Sequence, residues 1–318
     1  MIALHNFDAE FQNLDHYIRV ITDRIWEQRR IDDIYRYYTD PCIVETPSSV
    51  TTAVEDVVNG THATLVAFPD RRLLCEDVIG CGTPHGGYYS SHRIISPMTH
   101  LGDGAFGAAT GAPIHVRTIA DCWCVGNRIA HEWLVRDQAA IAKAIGVPIK
   151  ELALRWLEKT SGKFAKPSAP QPLAPFAPHI SQAARAQNYA QAYRAIWRGE
   201  CIAFEALFHE AVHAIIPGET HRYGRAEMVS FWTQCVNRFS NVRFAIEHLI
   251  EEVTTEGEVR VAMRWRVNAV STGNDAFGVA NKSVEIMGIS HAQWRSGFIV
   301  REWILIDEVA LAMQLLSA

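Results

Sequence analysis

Apolar residues at Phe7, Phe11, Leu14, Ile18, Ile21 and Ile25 recur at steps of four and three. That spacing puts them on one stripe and predicts a single long amphipathic helix near the start of the chain. A short helix carrying Ile34 and Tyr38 should follow, then a brief strand at 42–46 and a helix at 54–68. Beyond this the period shortens to two. Val259, Val261, Met263, Trp265 and Val267 alternate with Arg260, Ala262, Arg264 and Arg266, as in a sheet with unlike faces. The turns VGN (125–127) and RSG (295–297) each join two such strands into a hairpin, and 86–96 reads as another long strand. Helices first and long antiparallel strands afterwards make the fold class α+β rather than doubly wound. A strongly curved sheet wrapped over a long helix leaves a blind pocket suited to a small ligand.

The same ending is written twice. HEWLVRDQAAIAKAIG (131–146) is answered by REWILIDEVALAMQLL (301–316), and TIADCWCVGNRIAHEWLVRD (118–137) runs beside GISHAQWRSGFIVREWILID (288–307) without a gap. Upstream, FPD (68–70) stands against FSN (239–241) and IWEQ (25–28) against IWRG (196–199). Tyr189, Tyr193 and Ile196 repeat the helical stripe more weakly. Similarity at a fixed offset marks a tandem repeat. Between the copies, SGKFAKPSAPQPLAPFAPH (161–179) carries five prolines, which favour an extended, semi-rigid spacer. The expected organisation is a first domain at 1–160, a linker at 161–179 and a second domain at 180–318.

Composition narrows the function classes. With 318 residues, 48% hydrophobic, 20% charged and a net charge of -5, the chain matches an ordinary globular protein and offers no basic patch for nucleic acid. The first twenty residues lack a leader pattern and no later run suits a membrane span, so the expected location is the cytoplasm. The seven cysteines are odd in number and unevenly spread, which favours reduced thiols over a disulfide framework. Cys122 and Cys124 share one face of a strand, but the four-ligand spacing of a zinc site is missing. No phosphate loop or nucleophile elbow appears either.

The run VRVAMRWRV (259–267), the FG pair at 277–278 and VEIMGISHAQWRSGFIVREWILIDEVAL (284–311), with FPD and THLGDGAFGAATGAPIHVR (99–117) in the first copy, resemble the SnoaL-like polyketide cyclases. These belong to the nuclear-transport-factor-2-like superfamily. The resemblance implies two tandem cone-shaped domains, each a curved, mostly antiparallel sheet around N-terminal helices with an internal pocket. It also implies no cofactor and no metal, a small-molecule substrate or ligand, and a covalent pseudo-dimer that could pair again as a homodimer. In such cyclases an aspartate near the end of the last strand acts as general acid/base in an intramolecular aldol closure, and Asp137 and Asp307 match that position. The competing reading is that each aspartate caps the helix that follows it.

Alternation groups His131, Trp133 and Val135 with Asp137, and Arg301, Trp303 and Leu305 with Asp307. If the first hairpin centres on 126–127, Asp137 lies opposite His115 and Arg117, a plausible constellation around a carbonyl or enolate. His92, in mid-strand and loosely aligned with Trp265, is the next candidate; His85 and His100, near strand ends, read as solvated. Arg264 and Arg266 read as a solvated or interdomain face. Glu132 and Glu302, of opposite parity to the aspartates, read as a dimer-face or structural ion pair. Three functions stay open. One is a cavity enzyme moving protons on a carbonyl-bearing apolar substrate, with the first pocket the richer; the others are a water-activating hydrolase or dehydratase and a non-catalytic binding or scaffold protein.

Overall fold

The computed structural model describes residues 4–83, 86–172 and 176–318, so His85 lies outside the described residues. Contacts divide the chain into two units. The first comprises residues 1–148 with 165–177, the second 149–164 with 178–318. Residues 149–160, expected to belong to the first copy, therefore count with the second unit. The proline-rich stretch is split between the two.

In the first unit, α1 (Leu14–Thr22) is followed by a wide turn at Asp23–Glu27, α2 (Ile34–Tyr37) and α3 (Val54–Ala67). The helix predicted from Phe7 onward is shorter than its stripe. Asn13 caps it, its side chain accepting from the backbone N–H of His16 at 2.9 Å, and a capped end cannot propagate backwards. Phe7 and Phe11 still reach the core, as edge-on partners of Tyr17. The sheet contains β1 (Tyr38–Glu45), β2 (Val50–Thr51), β3 (Leu74–Gly82), β4 (Gly87–Thr99), β5 (Pro113–Val125) and β6 (Arg128–Arg136) in the order β2-β1-β6-β5-β4-β3. All neighbours are antiparallel except β1 and β6, which run parallel. Helix α4 (Gln138–Ala144) follows β6.

The second unit repeats the plan. It begins with α5 (Ile149–Glu158) and α6 (Ala184–Ile196) and continues with β7 (Phe208–Ile216), β8 (Thr220–Tyr223) and α7 (Arg225–Val236). Then come β9 (Phe239–Val253), β10 (Val259–Thr272), β11 (Ala280–Arg295), β12 (Phe298–Ile306) and α8 (Glu308–Leu316). The strand order is β8-β7-β12-β11-β10-β9, with β7 and β12 parallel. Both predicted hairpins form, across Val125–Arg128 and Arg295–Phe298. Helix α5 packs on α8, burying Leu152, Ala153 and Leu157.

Each sheet has an inner face turned to its helices. In the second unit that face carries Val261, Met263, Trp265 and Val267 on β10, Ile286, Ser290 and Ala292 on β11, and Ile304 and Ile306 on β12. In the first it carries Val78, Tyr88, His92, Ala120, Cys122 and Cys124. No described helix is long and apolar enough to cross a membrane.

Candidate functional site

The inner faces decide which polar side chains can meet a ligand. Glu302 pairs in register with Ala292, which faces Val261, so its carboxyl points to the helices of the second unit, and Glu132 takes the same position opposite Cys122. The expectation of a dimer-face position for these glutamates is therefore wrong, and the structural partners of both carboxyls are tyrosine hydroxyls. The row of His131, Trp133, Val135 and Asp137 faces the other way, as does that of Trp303, Leu305 and Asp307. Parity could not tell the faces apart because both are buried. In the first unit Phe176 of the proline-rich stretch lies against Trp123 and Trp133, covering part of the outer row.

Glu302 is completely buried. Its Oε1 accepts a 2.6 Å hydrogen bond from the Tyr189 hydroxyl, and the Tyr193 hydroxyl lies 3.0 Å from the same oxygen. Tyr193 also lies 2.7 Å from Ser290 Oγ, which accepts the Trp265 indole N–H at 3.0 Å. Tyr189 and Tyr193, one helical turn apart, present both hydroxyls from α6 to the same carboxyl. Gly288 makes room for this arrangement: a Cβ there would stand 2.2 Å from the Trp265 ring. Glu302 Oε2 has no hydrogen-bond partner among the described residues. Burial pushes the carboxyl up to about 7, against the tyrosine hydrogen bonds, which favour its charged form.

A cleft of about 350 Å³ opens in the same unit, lined by Arg185, Glu256, Glu258, Val259, Trp294 and Arg295 among others. Val259 and Trp294 pair with each other. The next row inward on that face is Val261, Ala292 and Glu302, one step from the cleft floor.

In the first unit the Tyr38 hydroxyl donates to Glu132 Oε2 at 3.1 Å, and burial raises the Glu132 carboxyl. His92 shares the inner face. It is 3% exposed and its Nε2 has no partner among the described residues. Burial, with the Arg19 and Arg93 charges behind it, pushes its imidazole down to about 3, so the ring is neutral at working pH. By register His92 corresponds to Met263 rather than to Trp265.

The remaining sequence candidates lie elsewhere. Asp137 is fully buried at the start of α4, its carboxylate accepting from the Ala140 N–H at 3.1 Å. Asp307 accepts from the N–H groups of Val309 and Ala310, both at 3.0 Å, at the start of α8. His115 is exposed, and Arg117 is held bidentate by Glu76 at 2.7 and 2.9 Å on the outer face. Asp137 does meet Arg117 across the hairpin, but through its backbone N–H and the Arg117 carbonyl. His131 stacks on Trp133 with ring centroids 3.8 Å apart. His100 is buried against Phe68, not solvated. Arg264 is buried as well; both it and Arg266 are tied to Glu247. His92 is thus the sequence candidate on an inner face. Glu302 and its tyrosines were missed, although the EW pair shared by both repeats and the i, i+4 tyrosines were visible.

The SnoaL-like polyketide cyclase family model matches residues 187–315. Among solved structures, similar chains include a candidate hydroxylase, AclR, from Streptomyces galilaeus, at 19% identity over 42% of this chain and 97% of that one, TM-score 0.36. A candidate polyketide cyclase from Xanthomonas campestris pv. campestris shares 25% identity over 42% and 99%, TM-score 0.36. A SnoaL-like polyketide cyclase from Agrobacterium tumefaciens shares 15% over 42% and 99%, TM-score 0.34. No curated protein matches the chain. The family match falls on the second copy, and the first unit repeats its strand order, so the chain is a tandem pair of domains built on one plan, the second of them similar to the SnoaL-like polyketide cyclases.

Proposed function

We propose that the second unit is a cofactor-free acid/base enzyme that moves a proton next to the carbonyl of a small or medium apolar substrate, as in cyclisation by aldol closure. Glu302 is the group that takes and returns the proton. One observation carries this reading: a fully buried carboxyl, held on one oxygen by two phenols, whose other oxygen has no partner among the described residues. A general base works best with a pKa near ambient pH, and burial brings this one to about 7. The family match over the same residues supports a cyclase-like cavity. Asp307, the acid that the family resemblance singles out, already accepts two backbone N–H groups, which holds its carboxylate at the helix end. The unpartnered oxygen of Glu302 would remove the proton on the carbon beside the carbonyl, and the resulting enolate would attack a second carbonyl of the same molecule. The carboxyl then returns the proton to the new alkoxide, leaving the enzyme unchanged.

The test is deuterium exchange in D₂O at neutral pH, followed by proton NMR over a panel of aryl ketones and linear polyketones. Parent protein should exchange the proton beside the carbonyl faster than buffer, and Glu302→Gln should lose about 10²–10⁴ of that rate. Equal rates in parent and variant remove Glu302 from the chemistry. If no panel member exchanges above buffer, ligand binding without catalysis becomes the better reading.

A further inference from the structure

The first unit holds a buried cation that no acidic side chain among the described residues pairs with. Arg71 follows the FPD turn, where its backbone is pinned: its N–H bonds the Phe68 carbonyl at 3.1 Å, and its carbonyl accepts from Arg29 at 2.9 Å. The side chain, 2% exposed, lies with its guanidinium 4.9 Å from the Trp26 ring. Among the described residues its side chain makes one hydrogen bond, a long one of 3.5 Å to Ser96 Oγ, and its Nε has no partner.

Nearby carboxylates are committed elsewhere. Asp70 accepts from the backbone and hydroxyl of Thr99 at 2.8 and 2.7 Å, and Glu27 binds Arg72 and the Leu73 N–H, both at 2.7 Å. The charges acting on Arg71 are those of Arg136 and Arg29, both of its own sign. A guanidinium does not shed its proton in a protein, and a buried charge without a partner costs several kcal/mol. Stacking on one indole recovers only part of that.

Other unsatisfied groups share the face. Thr118 pairs in register with Ile94 and Arg136, diagonal to Ser96, and its buried Oγ1 has no partner among the described residues. His92 Nε2, likewise unpartnered, lies one row further on.

We infer that Arg71, with the Ser96 and Thr118 hydroxyls beside it, forms an anion subsite for the carboxylate of a small organic acid. A single guanidinium fork fits a carboxylate in bidentate fashion, and two neutral hydroxyls complete its lone pairs. The charge balance also favours a monoanion, since Arg136 acts on Glu132 as well as on Arg71. The Trp26 ring and the apolar side chains of Ile94 and Val116 in the neighbouring rows suit an acid with an apolar body. This subsite is independent of Glu302 and lies in the other unit.

Isothermal titration of the full chain with sodium acetate and sodium benzoate, against acetamide, benzamide and inorganic phosphate at matched ionic strength, tests it. At least one carboxylate should bind once per chain, at least tenfold more tightly than its amide and than phosphate. Arg71→Met should abolish that binding, and Thr118→Val should weaken it several-fold. Should Arg71→Met fail to fold, Thr118→Val, which keeps volume and charge, decides the matter. Carboxylates binding no better than their amides, phosphate binding more tightly, or undiminished binding in the variants that fold would each overturn the assignment.

Discussion

Replacing Glu302 by glutamine keeps an acceptor oxygen for Tyr189 and Tyr193, puts an amide NH2 where Oε2 stood and removes the ability to ionise. The folded-state carboxyl sits at about 7 against an ordinary value of 4.5. Because the native state holds this proton more tightly than the unfolded chain, the stabilisation is fully present below pH 4.5 and is lost as pH rises through 7. A difference of about 2.5 units at 1.36 kcal/mol each makes roughly 3 kcal/mol, undiminished by solvent because the group is completely buried. The stability of Glu302→Gln minus that of the parent should therefore grow by roughly 3 kcal/mol from pH 4.5 to pH 8. For a unit of this size that corresponds to several degrees, at about 2–4 °C per kcal/mol. Scanning calorimetry of both proteins across this range measures it, and the subtraction cancels every other titrating group. Parallel profiles would show that Glu302 ionises at an ordinary pH, and the acid/base reading would fail with them.

Two further outcomes follow from the same geometry. Asp137→Ala and Asp307→Ala should each lose about 1 kcal/mol or more of stability, with Asn at either site keeping most of it, because these carboxylates cap α4 and α8; urea midpoints at constant m settle this, and an Ala variant as stable as the parent would contradict it. His92, pushed down to about 3 from 6.5, takes its proton in the unfolded chain first, so the parent should lose stability as pH falls below 6.5. His92→Gln should remove roughly 3 kcal/mol of the fall between pH 6.5 and 4, measured by denaturant titration, whereas equal acid sensitivity in both proteins would count against a buried neutral ring.

The fold was largely legible and the site was not, for one physical reason. Period-two strands, the VGN and RSG turns and the ungapped repeat are local signals, and each appears in the sheets where expected. Which of two faces turns inward is settled by what covers each one. A strand buried on one side advertises its core row, but β6 and β12 are buried on both, so Trp133 and Trp303 looked as internal as anything in the chain. Counting from Asp137 then placed Glu132 and Glu302 on the wrong side. The shortened first helix is a smaller case of the same kind. The stripe from Phe7 to Ile25 reports which residues meet the core, while Asn13 decides where the helical hydrogen bonds begin.

The pairing of α5 with α8 bears on the order in which the chain can fold. Residues 149–158 leave the ribosome before any strand of the second unit exists, yet their apolar side rests on a helix that begins at 308. Contacts of such long sequence separation form slowly and last. Until then Leu152 and Leu157 are uncovered, an interval in which holdase chaperones or premature association would act. β1 and β7 face a milder version, each pairing early with β2 or β8 but joining the rest of its sheet only through the final strand. A ribosome stalled late in the second unit, before α8 is made, would therefore carry a first sheet able to close, followed by a helix still without its packing partner.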